Sequence, residues 1–222
     1  GAFFTVADKW QNRGCGCNTD PEPKWFWQGK YNEGVKDKGY CELYTRWLEM
    51  GTFLPMFRSH GTDTPREIWS FGEKGTMFYD AIEKFIKLRY HLMPYIYSMA
   101  GEVHFNDYTI MRSLLFDFPQ DKTARKIENE FMFGSSLLIC AVTEPMYYGP
   151  ESTELDRAKI WECYLPEGAD WYDYWTNKKY TGGRYVTVDA PIDQMPIFVK
   201  AGSILPVAEG LTYASQKPEG AV

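Results

Sequence analysis

The sequence has few histidines, an odd number of cysteines and no long apolar run. Three histidines and five cysteines are spread over 222 residues. No apolar stretch approaches the roughly 20 residues that a membrane helix needs, and Leu137–Val142 is among the longest. A phosphate-binding loop and a Gly-x-Ser-x-Gly nucleophile motif are also missing. We therefore predict no membrane span, no P-loop nucleotide chemistry and no serine-hydrolase site.

The cysteine count argues against a disulfide framework. The five residues are Cys15, Cys17, Cys41, Cys140 and Cys163. An odd number pairs poorly, and no Asn-x-Ser/Thr sequon occurs, so nothing requires an oxidising compartment and the localisation stays open. The Cys15-Gly16-Cys17 pair lacks the two-residue spacer of common zinc knuckles and has no histidine nearby, which favours a tight loop over a metal site. We predict neither a metal nor a cofactor.

The overall composition is that of a folded chain with a surplus of aromatic residues. Hydrophobic residues make up 44% and charged residues 24%, with a formal net charge of −6. The length suits one large domain or two small ones with a real core, and the acidic balance argues against a nucleic-acid partner. Aromatics reach 17%; they fill cores but also form flat platforms for sugar rings. Composition alone favours a core role for these aromatic residues over sugar binding.

The first half of the chain reads as an irregular segment followed by helices. Residues 5–39 are rich in glycine and proline and carry interleaved tryptophans, which indicates an ordered, functional loop. Apolar residues then recur at helical spacing over Tyr40–Met50, with Gly51 as a stop. A longer helix is predicted over Phe78–Tyr97, kinked or interrupted at Pro94 because proline lacks a backbone donor.

The pattern changes to short strands in the second half. A buried strand is predicted over Thr109–Leu115 and a short helix over Asp121–Ile127, capped by Asp121. Further strands are predicted at Ser136–Val142, Ile160–Leu165, Trp171–Trp175, Tyr185–Val188, Ile197–Lys200 and Ile204–Val207. Short strands at this spacing between turn signals are typical of an antiparallel sandwich. We therefore predict an α/β unit over residues 1–125 and an all-β unit over residues 126–222.

The densest polar cluster runs from Arg58 to Glu67 and follows an apolar segment. Barrel enzymes place their sites on loops at the carboxyl ends of strands, and a histidine there can donate to a sugar hydroxyl. The cluster could equally be an ion-pair network of a loop. Glycoside hydrolysis usually needs two carboxylates, but Asp8, Asp20, Asp63 and Glu67 show no pair with identifying spacing. From the residues alone, the cluster is a candidate sugar site without located catalytic groups.

An ordered series of motifs resembles glycoside hydrolase family 31, and it covers the chain from Gly39 to about Pro206. The motifs are Tyr44-x-Arg46-Trp47, Gly51-x-Phe53-x-Pro55, Phe57-Arg58-x-His60-Gly61, Arg66-Glu67-Ile68-Trp69, Leu88-Arg89-Tyr90-x-Leu92-x-Pro94-Tyr95-x-Tyr97, Met111-Arg112-Ser113-Leu114, Phe133-Gly134-x-x-Leu137-Leu138, Tyr164-Leu165-Pro166, Trp171-Tyr172-Asp173-x-Trp175 and Pro196–Pro206.

The resemblance implies a fold and a mechanism. The fold is the C-terminal portion of a (β/α)8 TIM barrel followed by an antiparallel β-sandwich. The implied activity is that of a retaining α-glycosidase, which hydrolyses terminal α-glucosides or α-xylosides by double displacement. Gly1–Phe4 is similar to the tail of a family motif, and the family's nucleophile and acid/base lie upstream of it. We therefore expect a fragment that is inactive alone and contains neither catalytic aspartate.

The resemblance also implies which residues of this chain touch sugar. His60 matches a histidine that binds hydroxyls of the −1 sugar, and Arg58 matches the arginine of the same loop. Phe3 matches an aromatic wall of the pocket, and Asp63 is a further candidate for a hydroxyl contact. The loop over residues 5–39 is longer than in many members of the family. The tryptophans that could shape its subsites are Trp10, Trp25 and Trp27.

Two alternatives stay open at this point. Within the same family, the substrate could be an α-galactoside or an α-N-acetylgalactosaminide. In a different class, the chain would be a non-catalytic carbohydrate-binding or structural module. The expected partners are an oligosaccharide or α-glycoside and the rest of the chain's own barrel, with no nucleic acid; homo-oligomerisation is left open.

Overall fold

The computed structural model describes residues 38–59, 66–149 and 152–217. Three long helices lead this part of the chain and occupy Lys38–Gly51 (α1), Met77–His91 (α2) and Met93–Asn106 (α3). The predicted helix over Tyr40–Met50 is confirmed by α1, whose last residue is the predicted stop at Gly51. A short 3₁₀ helix at Ile68–Phe71 leads towards α2.

The break between α2 and α3 lies where proline chemistry predicts it. Leu92 separates the two helices with φ −82° and ψ 3°, and Pro94 falls in the first turn of α3. The missing backbone donor of proline costs nothing there, because first-turn amides have no intrahelical partner. The predicted interruption of the long helix is therefore confirmed, and α3 ends at the left-handed residue Asp107.

Antiparallel strands form the second half of the fold. They span Met111–Ser113 (β1), Glu130–Phe133 (β2), Leu137–Cys140 (β3), Ile160–Leu165 (β4), Asp170–Asp173 (β5), Lys179–Thr181 (β6), Arg184–Asp189 (β7) and Ile197–Lys200 (β8). One sheet has the order β1-β2-β3-β8-β5-β6, and β4 pairs with β7 in the other. Every described strand pairing is antiparallel, which confirms the predicted sandwich.

The central strand β3 is apolar throughout because both of its faces are covered. Leu137 and Ile139 belong to the core that α2 and α3 complete, with Phe85 among its members. Leu138 and Cys140 point to the opposite face and belong to the core shared with β4. Since successive side chains of a strand alternate between faces, a run without polar residues identifies a strand between two layers.

Two predicted strands differ from the structure. In the segment predicted as the buried strand Thr109–Leu115, only β1 is extended, and Leu115 is exposed. The chain then turns into the one-turn helix Leu114–Asp117 (α4), where the Ser113 hydroxyl accepts from the Leu115 amide. The predicted strand Ile204–Val207 is also wrong: the segment has no strand partner, and Ile204 is 89% exposed.

Other local predictions hold in part. Asp121 does cap a helical turn, since its Oδ1 accepts from the amides of Thr123 and Ala124. The turn is a short 3₁₀ helix over Ala124–Lys126 instead of a longer α-helix. Strands β2 and β6 were not predicted. The division at residue 125/126 stays a prediction, and β1 pairs with β2 across that position.

Candidate functional site

The segment that carries Arg58 is held in place by a buried arginine of α2. Arg89 donates from Nη1 to the carbonyl oxygens of Thr52 (2.6 Å) and Leu54 (2.7 Å), and from Nη2 to Pro55 (3.1 Å). No strand forms over residues 52–59, so these bonds satisfy carbonyls that a sheet would otherwise pair. Burial lowers the pKa of Arg89. The residue thus fixes the path of the chain just before Arg58.

A tyrosine of α1 anchors both ends of the same loop. The Tyr44 hydroxyl lies 2.6 Å from Ser59 Oγ and donates to the Arg66 carbonyl at 3.2 Å. The Tyr44 ring stacks on Phe71 with centroids 4.0 Å apart. Burial raises the pKa of Tyr44 further above neutrality, and the protonated hydroxyl serves as a donor at neutral pH. Ser59 and Arg66 are thereby placed on one side of α1.

A second tyrosine of α1 supports Arg66. Arg66 donates from Nε to the Tyr40 hydroxyl at 3.1 Å, and both side chains are buried. Burial raises the pKa of Tyr40 to about 12, although the neighbouring Arg66 charge opposes this shift. The guanidinium therefore faces a neutral phenol that accepts a hydrogen bond.

A cavity of about 520 Å³ opens between α1, α2 and the loop that carries Arg58. Its described lining is mainly apolar and aromatic, with polar groups on one side, and comprises Tyr44, Trp47, Leu48, Gly51, Leu54, Met56, Phe57, Arg58, Ser59, Arg66, Ile68, Ile82, Ile86 and Tyr90. Ligand sites commonly combine apolar walls with a few polar groups. Among these described lining residues there is no aspartate or glutamate, so the described part of the cavity offers no carboxylate nucleophile.

The structure describes only one of the predicted sugar contacts. Arg58 is exposed at the border of the cavity, next to Ser59. His60 and Asp63 follow it in the chain but lie outside the described residues. Phe3 and the three tryptophans also lie outside the described residues, at positions 10, 25 and 27.

Two residues that hold the segment next to the cavity were not predicted as site residues. Arg89 and Tyr44 touch the backbone or side chains of the loop that carries Arg58. A signal for Arg89 existed, because it occupies an inward position in the apolar periodicity of its helix, where a charge needs partners. Tyr44 carried no comparable signal, since an aromatic residue at an inward helix position is ordinary core.

A carboxylate on α1 ties the helical half to the β half. Glu42 is buried, and its Oε1 accepts from the Met146 amide at 2.7 Å while Oε2 accepts from the Tyr148 amide at 2.9 Å. The Tyr147 amide lies within hydrogen-bond distance of both oxygens, at 3.2 and 3.0 Å. Three successive amides therefore surround one carboxylate, an arrangement that stabilises its charge without a cation.

Arg46 makes the same connection one turn further along α1. Its Nη2 donates to the Ala190 carbonyl at 2.8 Å, and Nη1 donates to Pro191 (3.1 Å) and to Glu49 Oε2 (3.0 Å). Arg46 and Glu49 are both buried. The orientation of α1, and with it the Tyr44 side of the cavity, is therefore fixed by the β half of the chain.

Comparison with protein families matches both halves of the chain to domains of one family. Residues 27–99 match the TIM-barrel domain of glycosyl hydrolases family 31, and residues 107–205 match the C-terminal domain of the same family. An alpha-xylosidase of Saccharolobus solfataricus is 38% identical over 179 residues, covering 81% of this chain and 23% of the relative. Alpha-glucosidase 2 of Bacillus thermoamyloliquefaciens is 36% identical over 170 residues, covering 76% of this chain and 20% of the relative.

Solved structures give the same assignment. The alpha-xylosidase from Xanthomonas citri matches with a TM-score of 0.67 and 40% identity, over 76% of this chain and 17% of that structure. A dextranase from Flavobacterium johnsoniae, complexed with isomaltotriose, matches with a TM-score of 0.67 and 38% identity, over 79% of this chain and 20% of that structure.

Fold and matches together define a portion of a TIM barrel joined to a β-sandwich, in the class of glycoside hydrolases. The chain belongs to glycoside hydrolase family 31. It spans about a fifth of the length of the curated relatives it matches. None of the helices in the described ranges has both the length and the apolar character to cross a membrane.

Proposed function

We propose that this chain is part of a retaining α-glycosidase that removes terminal α-linked xylose or glucose. The observation that carries the proposal is its similarity to an alpha-xylosidase and an alpha-glucosidase, at 38% and 36% identity over three quarters or more of the chain. The dextranase structure, complexed with isomaltotriose, matches 79% of the chain and supports a glycan substrate.

The reaction proceeds by double displacement. One carboxylate attacks the anomeric carbon while a carboxylic acid protonates the departing oxygen, and water then cleaves the glycosyl–enzyme ester with the second group acting as a base. The two groups stand roughly 5 Å apart in retaining enzymes. The described lining of the cavity holds no aspartate or glutamate. Since the chain spans about a fifth of the length of these relatives, we assign both groups to the remainder of the complete protein.

The chain's own contribution is to bind and orient the sugar. Arg58, exposed beside the cavity, keeps a neighbouring carboxylate ionised because its positive charge stabilises the anion. His60, two residues further along, donates to hydroxyls of the reacting sugar, and this bond strengthens as the ring flattens. Asp63 makes a further hydroxyl contact. The remaining contacts are aromatic: Phe3 forms a wall of the pocket, and Trp10, Trp25 and Trp27 shape the leaving-group subsites.

The test is a panel of aryl α-glycosides, given to the complete protein: xyloside, glucoside, galactoside and N-acetylgalactosaminide. We expect turnover of the xyloside or the glucoside with kcat/KM at least tenfold above the other two sugars. Arg58→Ala should lower kcat/KM by at least tenfold, and Arg58→Lys by less, since lysine keeps the charge but loses the planar fork.

The matched control is Arg184→Ala, which removes an exposed arginine of β7. This variant should keep the parent kinetics on every sugar. Turnover confined to galactoside-type sugars would overturn the substrate assignment. Glycan binding without turnover of any sugar would favour the non-catalytic module.

A further inference from the structure

Two cysteines and one glutamate converge in the core between the two sheets. Glu130 on β2 and Cys140 on β3 are directly opposite each other in the antiparallel ladder, so their side chains lie on the same face. Cys163 reaches the same point from β4, which belongs to the other sheet. A carboxylate oxygen of Glu130 and the two Sγ atoms all lie within 4.8 Å of one another.

The cluster is shut off from solvent. Glu130 is 5% exposed, and both cysteines have no exposed surface. Glu130 Oε1 accepts from the Tyr164 amide at 2.7 Å, which orients the carboxylate. Its Oε2 is buried and meets no N–H or O–H donor within the described ranges, and the Cys140 thiol is the side chain that hydrogen-bonds to the carboxyl group. A buried carboxylate oxygen in this position costs free energy unless a further group meets it.

We propose that Glu130, Cys140 and Cys163 form a binding site for a zinc-type divalent cation that bridges the two sheets. Thiolate and carboxylate are both zinc ligands, and Zn–S bonds of about 2.3 Å place two sulfurs of a tetrahedral site about 3.8 Å apart. The two sulfurs therefore need to approach each other by no more than about 1 Å, and the Glu130 oxygen needs to approach each sulfur by no more than about 1.3 Å.

Binding of the cation releases protons from its three ligands. The two thiols and the carboxyl group give up their protons to solvent, and the three anionic donors bind the divalent ion. A water molecule that enters with the ion during folding takes the fourth position of the tetrahedron. The Tyr164 amide does not bind the ion itself. It donates a hydrogen bond to Oε1 and thereby orients the carboxylate towards the ion.

A disulfide fits the positions of these two thiols less well than a shared metal ion does. The two cysteines belong to different sheets, and facing sheets pack about 10 Å apart, whereas the Cα atoms of a disulfide usually lie 4.4–6.8 Å apart. An ion between the sulfurs suits donor atoms that lie up to 4.8 Å apart, whereas a disulfide needs an S–S bond of about 2 Å and leaves the Glu130 oxygen without a partner.

The experiment is expression of the complete protein in medium supplemented with Co²⁺, followed by metal analysis and absorption spectroscopy. Because the site is buried, the ion is offered during folding. Every variant also carries Cys15→Ser and Cys17→Ser, which removes the other cysteine pair. The site predicts about one cobalt per chain and a thiolate-to-cobalt charge-transfer band.

The informative variants are Cys163→Val and Cys140→Ala, which keep the core apolar, and Glu130→Gln, which keeps its shape. The cysteine variants should lose at least nine-tenths of the bound cobalt and the charge-transfer band. Glu130→Gln should weaken retention against a chelator at least tenfold. Cys41→Ala, at another buried cysteine, should retain the full amount.

Three results would overturn the proposal: a parent protein without cobalt, a charge-transfer band that survives Cys163→Val, or a Cys140–Cys163 disulfide in the mass spectrum of the non-reduced protein. Since metal content and spectrum are read without substrate, these outcomes are independent of whether the protein hydrolyses any glycoside.

Discussion

The carboxylate of Glu42 should be one of the most sensitive points of the fold. It accepts hydrogen bonds from the amides of Met146, Tyr147 and Tyr148 at distances between 2.7 and 3.2 Å. The perturbation that tests this role is Glu42→Gln, which conserves volume and removes one acceptor together with the charge.

The cost follows from the number of acceptors lost. Either rotamer of glutamine leaves one oxygen to accept and turns an NH₂ group towards backbone N–H groups. At least one buried amide then loses its partner, which costs about 1–3 kcal/mol, and the remaining bonds lose their charge assistance. We expect the free energy of unfolding to fall by about 2–4 kcal/mol, a factor of about 30 to 1000 in the folding equilibrium.

The assay is equilibrium denaturation, with Glu83→Gln as the matched control. Glu83 lies on α2 and pairs with Lys87 at 3.0 Å on the helix surface, a contact of about 0.5 kcal/mol or less. If Glu42→Gln were no more destabilising than Glu83→Gln, the amide cradle would contribute nothing to stability, and the explanation of how the two halves are joined would be refuted.

Two further predictions concern buried groups. Burial raises the pKa of Glu49 to about 7, against the opposing charge of Arg46. The folded state therefore holds this proton more tightly than the unfolded chain, and stability contributed by the neutral acid is lost as pH rises from about 4.5 to 7, by at most about 1.4 kcal/mol per pH unit. Glu49→Gln should reduce the slope of the unfolding free energy against pH across this range by that amount; an unchanged slope would place the titrating group elsewhere. Gly134→Ala should lower the unfolding free energy by about 3 kcal/mol and Gly168→Ala by about 1 kcal/mol, because both glycines have positive φ but only at Gly134 would a Cβ overlap the hydroxyl of Tyr95. Equal losses of unfolding free energy in the same assay would show that backbone strain alone determines the cost of both substitutions.

The parts of the fold that sequence predicts are those governed by local chemistry. Pro94 predicts the helix break because a missing N–H is tolerated only in a first helical turn. Asp121 likewise predicts a capped turn. Its carboxylate accepts hydrogen bonds from nearby amides that have no backbone acceptor at the start of a helix.

The remaining elements depend on partners distant in sequence. Ile204–Val207 has a strand pattern but no strand beside it, whereas the polar strand β6 forms because it pairs with β5. β propensity is largely a matter of such neighbours, which a single sequence does not reveal. The sugar contacts were predicted from an ordered resemblance, and among them the structure describes Arg58 alone.

We propose that Arg58 and His60 bind the sugar of an α-glycosidase. The most direct test is kcat/KM of the complete protein on aryl α-xyloside and α-glucoside, comparing His60→Ala with His104→Ala, which removes an exposed histidine of α3. We predict a loss of at least tenfold, about 1.4 kcal/mol of transition-state stabilisation, for His60→Ala and parent kinetics for His104→Ala. Equal kinetics for both variants on both sugars would remove His60 from the sugar site.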